Sequence, residues 1–77
     1  MVEVFKTTVS DTYYAKLLLR KIHARFPGYQ ANFDLSDCDR ILRVKATVHI
    51  EVQNIMLIIR RFGYQAEILP DEVVLRN

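Results

Sequence analysis

The chain has 77 residues, 51% apolar and 26% charged, with eleven Lys and Arg against nine Asp and Glu, enough for one thin-cored domain and too few for two. A single cysteine forbids an internal disulfide. The longest apolar run, Ile55-Met56-Leu57-Ile58-Ile59, is far short of the roughly 20 residues that cross a bilayer. A net charge of +2 does not by itself imply nucleic acid, and the N-terminal stretch lacks the continuous apolar core of an export signal. The expectation is a cytoplasmic domain in a reducing compartment, with no membrane insertion.

Residues 2–9, rich in Val, Thr and Phe, read as a first strand. Ser10 or Asp11 then offers an N-cap oxygen. Beyond it Leu18, Leu19, Ile22 and Phe26 recur at spacings of three and four, the apolar face of a helix, with Lys16, Arg20 and His23 opposite. Pro27-Gly28 ends that helix. Tyr29, Ala31, Phe33 and Leu35 alternate with polar residues and predict a second strand, while Leu42, Val44 and Ala46 predict a third after the polar turn Ser36-Asp37-Cys38-Asp39. Thr47 is the expected cap of a second helix, with Val52, Ile55, Ile59 and Phe62 inward and Gly63 at its end. Residues 65–69 make a fourth strand that Pro70 stops.

Strand, helix, strand, strand, helix, strand is the order of an α+β, ferredoxin-like βαββαβ sandwich, a four-stranded antiparallel sheet with two helices on one face. Its usual strand order, 4-1-3-2, gathers Asp11, Cys38 and Gly63 at one end. The expected core is Phe5, Leu18, Ile22, Phe33, Val44, Ile55, Ile59 and Phe62. Residues 1–70 form the expected domain and 71–77 a short tail.

The element order, the Phe26-Pro27-Gly28-Tyr29 turn and the Gly63-Tyr64-Gln65-Ala66 ending resemble the heavy-metal-associated (HMA) domains of copper chaperones and metal-pumping ATPases, over about residues 2–69. The resemblance implies a Met-x-Cys-x-x-Cys metal loop between the first strand and first helix. Counting back from Pro27-Gly28 puts that methionine at Ser10 and the cysteines at Thr12 and Ala15. No cysteine stands anywhere before residue 38, so the pair of thiolates that holds Cu(I) or Zn(II) is missing whatever the alignment. The resemblance therefore implies the fold without the family's metal activity, and no cofactor is expected.

Cys38 is the remaining soft atom. A metal-binding or transport-related protein using such a non-standard ligand is the alternative reading, against a plain turn cysteine. His23, expected on the outer face of the first helix, and His49, near the start of the second, do not converge on it. Asp11, Asp34, Asp37 and Asp39 could place carboxylates near the same end, but their spacing matches no calcium loop, and turn and cap chemistry accounts for them.

Lys16, Arg20, Lys21 and Arg25 on the first helix, with Arg43 and Lys45 on the sheet, read as a solvated basic face. The third strand, Arg-Ile-Leu-Arg-Val-Lys-Ala-Thr, lacks the aromatics on which sheets of this topology stack RNA bases, so no nucleic acid is expected. Catalysis is not expected either. The loop Thr7-Thr8-Val9-Ser10-Asp11 has neither the glycines nor the arginine of an acylphosphatase cradle, and no histidine stands near Ser10 or Thr12 to activate them. Tyr13 and Tyr14 occupy the vacated metal loop, with Tyr64 as a packing partner. Ile50 and Leu57, seven apart, are read as an outward stripe on the second helix. Together with Val73, Val74 and Leu75 of the tail they form the candidate interface, for a protein partner or a second copy in a homodimer.

Overall fold

The computed structural model describes residues 1–36 and 38–70. The chain runs β1 (Val2–Thr7), α1 (Thr12–Arg25), β2 (Gln30–Asp34), β3 (Ile41–Lys45), α2 (Val52–Arg61), β4 (Ala66–Leu69). The strands form one antiparallel sheet in the order β2-β3-β1-β4. This is the ferredoxin-like α+β sandwich. β1 is central, with Phe5 opposite Leu42 on one side and Ile68 on the other.

Alternation along the strands divides the two faces of the sheet. Phe5, Ala31, Leu42, Val44 and Ala66 turn to the helices and join Leu18, Ile22, Ile55 and Ile59 in one apolar cluster. The registers put Lys6, Ile41 and Asp34 in one row of the opposite face, and Val4, Arg43 and Asn32 in the next. Of the expected core, Phe33 and Phe62 pack against the cluster but stay partly exposed at the edges of the layer. Val9, just past the end of β1, is fully buried.

Helix boundaries follow from local chemistry. The Asp11 side chain accepts the Tyr13 N–H at 2.8 Å, satisfying one of the free donors of the first turn, a cap worth about 1 kcal/mol. At the far end of α1 the Phe26 and Tyr29 rings stack, centroids 4.6 Å apart, across the Pro27-Gly28 turn. α2 ends in a Schellman motif: Gly63, at φ +87°, donates to the Arg60 carbonyl, and Tyr64 donates to Ile59.

The start of α2 departs from expectation. Thr47 does not cap it; the helix begins at Val52, and Glu51 at the cap position makes no side-chain bond. The Tyr29 hydroxyl holds the segment that leads into the helix, accepting from Glu51 N–H at 2.8 Å and donating to the His49 carbonyl at 3.0 Å. Ile50 therefore lies in the loop before the helix, not on its outer face. At 1% exposure it is a core residue, so the outward Ile50–Leu57 stripe does not exist.

His23 also differs. Its ring is partly buried, and Nε2 accepts the Ala31 N–H at 3.1 Å, occupying a donor on the outer rim of edge strand β2.

Candidate functional site

The end of the sandwich where β1 passes into α1 gathers the expected loops. The Thr7 hydroxyl donates to the Arg40 carbonyl at 2.7 Å, and the Thr7 N–H is shared between the carbonyls of Asp39 and Arg40, tying the β2–β3 turn to β1. Arg40 sits at φ +49°, the left-handed conformation that closes this turn. Thr8 exchanges two bonds with Gln65, one from each backbone N–H, so the approach to β4 joins the same end.

Thr12, where the resemblance would place the first cysteine, is the exposed first residue of α1; Ala15, where it would place the second, is buried in the core, and Ser10 is exposed. Cys38 is exposed on the turn. Among the described residues no three His, Cys, Asp or Glu side chains gather as a metal site. The carboxylates have other work. Asp11 caps α1, Asp34 accepts the Ser36 hydroxyl at 2.7 Å, and Asp39 stands 3.9 Å from Lys6. That last pair is half-exposed on both sides, which limits it to a fraction of a kcal/mol, about 0–1. Asp37 lies outside the described residues.

The Tyr13 and Tyr14 rings meet edge to face at 5.1 Å, and Tyr14 lies 6.2 Å from Tyr64. The packing partner is the expected one, and the cluster stays open to solvent. Tyr13 is 67% exposed and Tyr14 39%. Leu57, on α2, is 47% exposed. Val73, Val74 and Leu75, the rest of the candidate interface, lie outside the described residues.

Charge is divided between layers. The fourteen residues of α1 and ten of α2 carry Lys16, Arg20, Lys21, Arg25, Arg60 and Arg61 and not one Asp or Glu. Among the described residues the strands and loops carry six acids, Glu3, Asp11, Asp34, Asp39, Glu51 and Glu67, and four cations, Lys6, Arg40, Arg43 and Lys45. Cations are favoured in a helix's last turn by the macrodipole, which accounts for Arg25, Arg60 and Arg61. It does not account for Lys16, Arg20 and Lys21. Lys16 with Arg20, and Lys21 with Arg25, are like-charged pairs four apart, each costing the helix about 0.2–0.5 kcal/mol. Among the described residues none of the six forms an ion pair.

Between the helices runs a groove lined by Lys21, Arg25, Ile58, Arg61 and Phe62. Periodicity reads Phe62 as inward and says nothing of Ile58 and Phe62 meeting the basic flank of α1. No protein-family model, curated protein or solved structure matches the chain. Among the described residues no helix is long and apolar enough to cross a membrane.

Proposed function

We propose that this chain is an HMA-like domain without the metal-binding cysteine pair, serving as a small non-catalytic protein-interaction or regulatory module. The resemblance of its Pro27-Gly28 and Gly63-Tyr64 turns to that family, on a sheet of the family's topology, supports the kinship. The observation that carries the functional reading is the exposure of large side chains on both helices, Tyr13 and Tyr14 on α1 and Leu57 on α2. Tyrosine and leucine side chains left in water on a domain with so thin a core are the anchors that a protein partner covers. The polar groups nearby are engaged in holding the fold: Asp11 in its cap, Thr7 and Thr8 in joining loops.

Sedimentation across a concentration series, with capture on immobilised protein, tests the reading on wild type, Leu57→Glu and Tyr13→Ser. Association with a second copy or a captured protein, lost in Leu57→Glu, is the expected outcome. A wild type that stays monomeric, captures nothing and behaves like Leu57→Glu would sink it.

A further inference from the structure

Neither helix carries an Asp or Glu. Surfaces that only need to stay in solution mix both signs. Here six cations are segregated on the helices, while the described strands and loops hold six acids to four cations, a net of +6 against −2. Lys21 and Arg25 from α1 and Arg61 from α2 stand exposed around Ile58 and Phe62, which are half-buried between them. A concave strip with an apolar floor and cations on both rims asks for an occupant that is apolar on one side and negative on its flanks.

We propose that the groove between α1 and α2 receives an acidic amphipathic helix from a protein partner. Its apolar ridge would lie on Ile58 and Phe62, and its Asp and Glu would face Lys21, Arg25 and Arg61. Two antiparallel helices present a groove that a third helix fills, whereas an extended peptide would add to an edge of the sheet. A bilayer is flat and does not reach apolar atoms recessed between charged rims. A nucleic-acid backbone would use the cations but leave the apolar floor uncovered. The assignment rests on the interaction reading above and adds the partner's chemistry.

The probe is a labelled synthetic helix of about 18 residues, with Leu at i, i+3, i+4 and i+7 and Glu with Ala elsewhere, followed by fluorescence anisotropy. The same peptide with Lys for Glu, phosphatidylserine vesicles and a short DNA duplex serve as comparisons. The Glu peptide is expected to bind, to weaken as salt rises, and to bind about tenfold more weakly to Lys21→Glu/Arg25→Glu. Ile58→Asn should weaken it as well while leaving the circular dichroism unchanged. The proposal is overturned if the Lys peptide binds equally well, if the double variant binds unchanged, or if vesicles or duplex bind more tightly than the Glu peptide. Should the Glu peptide fail while Leu57-dependent association persists, the acidic-helix assignment falls and the interaction reading stands. Should both be absent, both fall. Leu57 lies outside the groove, which keeps the two outcomes separable.

Discussion

The phenol of Tyr29 stands 2.8 Å from the backbone nitrogen of Glu51, twenty-two residues away, and pins the residue at the N-cap position of α2 by its own N–H. Tyr29→Phe keeps the ring and its stack on Phe26 but leaves the Glu51 N–H and the His49 carbonyl without this partner. A loss of about 1–3 kcal/mol is expected in urea unfolding. The first-turn amides of α2 should exchange faster than those near Ile59. Unchanged stability would show that water replaces the hydroxyl without cost.

Ile50 and Leu57 separate a core position from a surface one. Ile50→Ala is expected to cost about 2–5 kcal/mol, since the side chain is fully enclosed. Leu57→Ala should stay within about 0.5 kcal/mol. Equal effects would contradict the placement of the α2 boundary.

Gly63→Ala probes the Schellman turn. Nothing lies within 4 Å of an added Cβ, so the cost is purely that of the φ of +87°. A destabilisation of about 1 kcal/mol is expected.

His23→Ala removes the acceptor of the Ala31 N–H. Exchange at Ala31 should accelerate while Val44, its neighbour in the sheet, stays protected. If both amides respond alike, the ring is a packing element and not an acceptor.

Titration with Cu(I) or Zn(II) against a competing chelator is expected to show no stoichiometric tight site, and Cys38→Ser to behave as wild type. Tight binding abolished by that substitution would reverse the metal-free reading. The lone exposed thiol and the committed carboxylates are the reasons for the expectation.

What could be read from the residues alone was whatever local chemistry determines. Asp11 as a cap, Gly63 as a stop and the period-two runs around Ala31 and Val44 announce themselves within a few residues, and with them the order of elements. Tyr29 was legible only as an inward strand residue, because its hydroxyl acts on a loop twenty residues away. The error at Ile50 has the same root. A helical period counted from Thr47 runs over residues where no helix exists, and a helix face has no meaning there. His23 looked solvent-facing because the period of α1 says nothing of the strand rim beside it. The groove was invisible for a related reason: Ile58 and Phe62 meet Lys21 and Arg25 only through the packing of two helices.

The central place of β1 has a kinetic meaning. The strand is made first, yet one of its neighbours is the last element of the described chain, with Val4 opposite Leu69. The β2–β3 hairpin can close as soon as it is made and β1 can join β3 once Lys45 is present, but the other edge of β1 waits for β4 until nearly all of residues 1–70 are available. Such long-range pairings slow folding relative to a helical bundle of equal size. During synthesis one edge of Phe5's strand stays open for a partner that does not yet exist, so a strand paired on both sides in the finished protein is also the one longest at risk of pairing with the wrong chain.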